Sequence, residues 1–239
     1  MTLATTIFGR AAANGMDRQC QMSKKTQVVR SYPARYSSDM QRGDFEALAM
    51  TMLREAGMGP TEPVCVVQLV RRIVGADSLR FAPDGVLPGN GSLVRVGTEW
   101  RIYLRKSAPN HLKRFVALHE LAHYVLGRTA SEQECDQLAA AVLLPRPAFL
   151  QERFTNRRLI STIARSFGSD ETCAWLRLGE IMGESVAVVA PHRVLSRGAA
   201  APHWLPSAEL RQLAKAPLPR GVRKAALRDD PARIVLRTG

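Results

Sequence analysis

Five consecutive residues, His119-Glu120-Leu121-Ala122-His123, carry the clearest chemistry in this 239-residue chain. Four residues advance an α-helix by about 6 Å and a little over one turn, so both imidazoles leave the same face. Two neutral ring nitrogens so placed can reach one ion, at about 2.0–2.1 Å if it is zinc. Glu120 stands beside that face, where its carboxylate can take a proton from an activated water. A chain of this composition produces the pattern by chance about 0.005 times, so coincidence explains it poorly. The plainer alternative is a core helix with two satisfied histidines.

A hydrolytic zinc site uses a third protein ligand and keeps one position open. The next helical stretch offers Glu132, Glu134 and Asp136. Ser131 and Glu134 have the spacing of a capping box, which gives Glu134 a structural task. Glu132 and Asp136 are four apart and share a face. Glu132 is therefore expected as third ligand, and Asp136 as the partner that hydrogen-bonds a ligand histidine and fixes its tautomer. The alternative for these carboxylates is a solvated first turn complementing the helix dipole. The connector Gly127 to Ala130 is short, so the two helices must fold back tightly for Glu132 to reach the ion. Tyr103 and Tyr124 are candidates for stabilising an oxyanion, packing or surface tyrosines being the alternative. His111 reads as a surface residue.

The elements that must position these groups are legible from periodicity and punctuation. Phe45, Leu48, Met52 and Leu53 fall near helical spacing, with Asp44 as cap and Gly57 as stop. A short helix follows with Pro63 in its first turn, ending at Gly75. Ala82 to Gly91, rich in Pro and Gly, reads as loop. Ser92–Val96 and Glu99–Lys106 read as two strands joined at Gly97-Thr98, and Trp100, Ile102 and Leu104 alternate with Arg101, Tyr103 and Arg105. The segment from Glu99 to Lys106 is expected to offer an edge to an extended substrate. Pro109-Asn110 precede the His119 helix (His111 to Leu126), and Pro145 ends the helix that Ser131 begins. Two further helices meet at Gly168-Ser169, and Val186 to Val189 reads as a terminal strand.

Charge and composition bound the rest. Hydrophobic residues make up 46% of the chain, and no stretch approaches the roughly 20 apolar residues of a membrane span. No apolar run in 1–43 suits a secretory signal. Cys20, Cys65, Cys135 and Cys173 form no C-x-x-C pair, which disfavours a disulfide scaffold and suits a reducing cytoplasm. The net charge is +13, of which 1–43 carries +5 and 192–239 carries +7, leaving 44–191 at +1. The expected organisation is a disordered basic arm (1–43), a folded domain (44–191) and a basic, partly disordered tail (192–239). Flexible solvated arms are the preferred reading of the two tails, and counterion-driven contact with nucleic acid is the alternative.

The run Arg114 to Leu126 resembles the active-site helix of the ImmA/IrrE (M78) metallo-endopeptidases. The run Glu132 to Pro145 is similar to that family's second helix, in which a glutamate ligand precedes a small residue and Asn or Asp, then an Ala-rich stretch ending in Leu-Met-Pro. Here Leu144 stands for the usual Met, Leu138 for the usual Phe, and Asp136 where Asn is frequent. The similarity extends loosely from Phe45 to Ala190. The resemblance implies an α+β, zincin-like domain in which helices accompany a small antiparallel sheet, with a helical C-terminal part. It also implies one Zn2+ per chain, or another divalent ion, and hydrolysis of a peptide bond in an intracellular protein. Substrates of such enzymes are helix-turn-helix repressors of a mobile element or stress regulon.

In the expected mechanism the ion held by His119, His123 and Glu132 acidifies a water. Glu120 deprotonates it for attack on a peptide carbonyl and then protonates the leaving amine. The rival is a non-catalytic metal-binding regulator that acts on DNA or a partner. Its support is the helix pair Leu159 to Leu178 and the basic tails. Asp170, Glu171 and Glu180 make the second helix of that pair a poor major-groove reader, and core packing accounts for it better.

Overall fold

Apolar spacing decides most of the architecture. The computed structural model describes residues 42–127, 130–151, 157–184, 186–190, 193–197, 222–226 and 234–238. The first helix, α1 (Arg42–Glu55), buries Phe45, Leu48, Ala49, Met52 and Leu53, an i, i+3, i+4 stripe that faces the core. It stops at Gly57, whose φ of 72° lets the Met58 N–H turn back to the Leu53 carbonyl at 2.9 Å. Helix α2 (Val66–Ile73) starts three residues after Pro63 rather than on it, and it buries Val66, Leu69, Val70 and Ile73.

Three strands follow. Strand β1 (Leu79–Ala82) runs parallel to β3 (Glu99–Arg105), while β2 (Gly91–Val96) pairs antiparallel with β3 through the Gly97 turn. The order is β1-β3-β2, a mixed sheet rather than a wholly antiparallel one. Because β3 is paired on both sides, it has no free edge. The strand expected to meet an extended substrate is thus the central one, and among the described residues β1 and β2 are the outer strands, β2 being the one that packs on α3.

Ile102 and Leu104 turn the inner face of β3 onto α3 (Asn110–Leu126), which buries Ala117, Leu118, Leu121, Ala122 and Val125. Gly91 lets β2 approach α3 closely, since a Cβ there would overlap Val116. Helix α4 (Glu132–Leu143) packs against both α3 and α1, and every residue from Leu138 to Leu144 is buried. Its start is fixed by the expected capping box: Ser131 Oγ accepts from the Glu134 N–H, and the Ser131 N–H donates to Glu134 Oε2 at 2.7 Å.

Short α5 (Arg146–Gln151) leads toward α6 (Arg157–Ser166) and α7 (Glu171–Met182). Ala174, Trp175 and Leu178 bury α7 in the core. Arg177, also buried, donates to the Leu144 carbonyl at 3.0 Å and pairs with Glu180 and Glu46, tying α7 to α4 and α1. A helix so enclosed is core, not a groove reader.

A second sheet, ordered β5-β4-β7-β6, joins β4 (Val186–Ala190) with β5 (Arg193–Arg197), β6 (Val222–Ala226) and β7 (Ile234–Thr238). Val186 to Val189 pair antiparallel with Ile234 to Arg237. Part of the segment 192–239, read from its charge as tail, is therefore sheet. The expected N-terminal arm lies almost wholly outside the described residues. Cys65, just before α2, is disulfide-bonded, a departure from the reduced state suggested by the cysteine spacing, while Cys135 and Cys173 are free thiols. No helix among the described residues is long and apolar enough to cross a membrane.

Candidate metal centre

His119 and His123 leave one face of α3, and Glu132 reaches across from the first turn of α4. His119 Nε2 and His123 Nε2 stand 3.2 Å apart. Glu132 places Oε2 at 3.1 Å from the first and Oε1 at 3.4 Å from the second. Taking one donor atom from each residue, all lie within 4.8 Å of one another, close enough to share one ion. The three side chains form a group able to hold a metal ion, and the donor chemistry, two imidazoles and one carboxylate, fits zinc. The expected fold-back of α4 on α3 brings Glu132 within reach.

Asp136, one turn further along α4, accepts a hydrogen bond from His119 Nδ1 at 2.8 Å. This leaves the His119 Nε2 lone pair turned toward Glu132 and His123. Burial lowers the proton affinity of His119, but the bond to Asp136 and the charges of Asp136, Glu120 and Glu132 outweigh it, so its pKa is raised. His123 has a different neighbour: Cys135 Sγ lies 3.3 Å from its Nδ1. Burial, then the nearby carboxylates, push that thiol's pKa up to about 12.

Glu120 lies beside the donors, not among them. Burial raises its pKa, against the pull of His119, His123 and a hydrogen bond from the Leu93 backbone. A cleft of about 330 Å³ opens over the group, lined by Gly91, Ser92, Leu93, His119, Glu120, His123 and Glu132. The two imidazoles are 15% and 17% exposed whereas Glu132 is 79% exposed, so the site is open on the α4 side.

The structure does not bring either tyrosine candidate to this cleft. Tyr103 is on β3 opposite Ser92, on the face away from Ile102 and Leu104, which it shares with Arg101. Tyr124 packs edge-on against Trp100 at 6.3 Å between ring centres. His111 is exposed at the start of α3, as its position suggests. Glu134 is spent on the capping box. Sequence reasoning missed Cys135 and the β2 edge. The signal for Cys135 was present, since a residue three beyond Glu132 shares its helical face.

Comparison with known proteins agrees with this geometry. Residues 80–178 match the Peptidase_M78 family, described as the IrrE N-terminal-like domain. That segment is similar to a zincin-like domain of metallopeptidase type, and the His119, His123 and Glu132 group falls within it. The match runs from β1 into α7 and is narrower than the Phe45–Ala190 resemblance, leaving α1, α2 and the second sheet outside. A solved structure described as a Mycobacterium tuberculosis transcriptional regulator has a TM-score of 0.49 at 18% identity, covering 66% of this chain. The chain spans about half the length of that protein, 55%. A search of curated proteins finds no match.

Proposed function

We propose that the chain is a metal-dependent endopeptidase in which His119, His123 and Glu132 hold one zinc ion and Glu120 moves the proton. The observation that carries this reading is the meeting of two imidazoles and one carboxylate, with donor atoms all within 4.8 Å of one another, beside the half-buried Glu120. When bound, such an ion polarises a carbonyl oxygen and lowers the pKa of water. Glu120, its proton affinity raised by burial, accepts the proton of the attacking water and passes it to the leaving nitrogen. Asp136 holds His119 in the tautomer whose Nε2 is free to coordinate.

The free edge of β2 supports an extended peptide substrate. Gly91 to Leu93 line the cleft, and the outer edge of β2, to which no other described strand pairs, offers main-chain groups to a substrate strand. The substrate we infer is a cytoplasmic helix-turn-helix repressor of a mobile element or stress regulon. The catalytic unit is taken as 44–191, with 1–43 as a basic arm and 192–239 as a basic tail that contributes β5, β6 and β7 to the second sheet.

The test is incubation of the metal-loaded chain with the transcriptional regulator encoded beside its gene, with fragments identified by mass spectrometry. Wild type yields discrete fragments, and Glu120→Gln keeps its metal while losing about 10²- to 10⁴-fold in rate. Equal cleavage by Glu120→Gln, or purified wild type that takes up no stoichiometric metal, overturns the reading. An intact regulator alongside cleavage of other peptides removes only that substrate.

A further inference from the structure

Both ligand histidines need something to hold the nitrogen that faces away from the ion, and the two are served unequally. His119 has a carboxylate, Asp136, at 2.8 Å. His123 has the thiol of Cys135, with Sγ 3.3 Å from Nδ1. Cys135 is fully buried on α4, between Glu132 and Asp136 in sequence, so one helix turn supplies the third donor and both of these contacts.

We propose that Cys135 is the positioning residue for His123, accepting the Nδ1–H on sulfur and so presenting the Nε2 lone pair to the metal centre. A neutral imidazole carries one N–H and one lone pair, so a proton kept on Nδ1 leaves Nε2 free to donate. Sulfur is a weak acceptor, and its bond to a ring N–H is longer and looser than a carboxylate's. His119 is thus the firmly held ligand and His123 the one held softly. A valine at 135 would fill nearly the same space without an acceptor, whereas serine would restore an acceptor in a smaller side chain. The two substitutions separate hydrogen bonding from packing.

This inference rests on the metal-site reading for its consequence, but its first readout needs no metal. In nitrogen-detected NMR of the metal-free full chain, His123 is expected as the Nδ1–H tautomer in wild type and in Cys135→Ser. In Cys135→Val the Nε2–H form should gain population. Competition with a chelator for zinc should then show Cys135→Val weakened by about 10- to 100-fold, with Cys135→Ser within a few-fold of wild type. Wild-type tautomer and affinity in Cys135→Val overturn the proposal. So does equal loss in both variants, which marks a packing role. A tautomer change in Cys135→Val with no zinc uptake by wild type upholds the positioning and sinks the metal reading instead. Should Cys135→Val fail to fold, Cys135→Ala gives the same comparison.

Discussion

Asp136 Oδ1 lies 2.8 Å from His119 Nδ1, a bond made between two different helices. Its consequence is geometric as well as electrostatic. The carboxylate selects the Nδ1–H tautomer, and the α3–α4 packing sets the direction in which Nε2 points. Replacing Asp136 by Ala should weaken zinc binding by about 10- to 100-fold, as removal of such a partner commonly does. Asp136→Asn keeps an acceptor oxygen without the charge and should lose less. Chelator competition ranks the three proteins, and an Ala variant that binds as tightly as wild type would show that the bond is incidental.

Much of this site was legible because its parts are local. The pair of histidines four apart, the pair of carboxylates four apart and the Ser131–Glu134 cap each follow from helical periodicity within a few residues. The stripe Phe45, Leu48, Met52, Leu53 gave α1 for the same reason. The β2–β3 hairpin was legible because its turn is local, but the remaining sheet pairing is non-local, and there the reading failed. Strand β1 is only four residues long and its parallel partner lies more than twenty residues away, so nothing nearby marks it. Without β1, β3 looked like an edge. Strands β5, β6 and β7 each carry Arg or Lys within five residues, which resembles a solvated tail until the pairing with β4 is known.

The capping box gives a prediction with a pH signature. Ser131→Ala should destabilise the fold by about 1 kcal/mol in denaturant titration. The backbone and hydroxyl of Ser131 lower the pKa of Glu134 below the usual carboxylate range. A group whose folded-state pKa is depressed stabilises above its unfolded value, and that contribution disappears as pH falls through the folded one. The part of the Ser131→Ala effect that depends on the Glu134 charge should therefore be present at neutral pH and fade in acid below the normal glutamate range. A penalty that does not change across that range would assign the cap wholly to neutral hydrogen bonds.

Arg177 tests the core far from the chemistry. Its guanidinium is buried among the Leu144 carbonyl, Glu180 and Glu46. Removing one partner of a buried ion pair costs about 3–5 kcal/mol, because the remaining charge stays desolvated. Arg177→Ala should lose stability of that order, and the double variant Arg177→Met with Glu46→Gln should recover part of it. The same loss in both proteins would place it in the guanidinium's contacts with the Leu144 carbonyl and Glu180, which neither variant keeps, rather than in the charge left on Glu46.

Gly91 links the strand edge to catalysis. A Cβ there would overlap Val116 on α3 and crowd the Tyr103 carbonyl at 3.2 Å, so the strand must shift outward to admit it. Overpacking of this kind costs about 1–3 kcal/mol. The shift also moves Leu93, two residues on, which lines the cleft with Glu120 and whose backbone helps hold down the Glu120 pKa. Gly91→Ala should therefore lower both stability and peptide cleavage while leaving metal content unchanged, since none of His119, His123 and Glu132 is on β2. Trimming the obstacle should help: in the double variant Gly91→Ala with Val116→Ala the losses should fall short of the sum of the single ones. Denaturant melts and cleavage rates of all four proteins give the coupling directly. Strict additivity in both would mean that β2 and α3 do not meet at this point, and that the approach of the strand to Glu120 is set elsewhere.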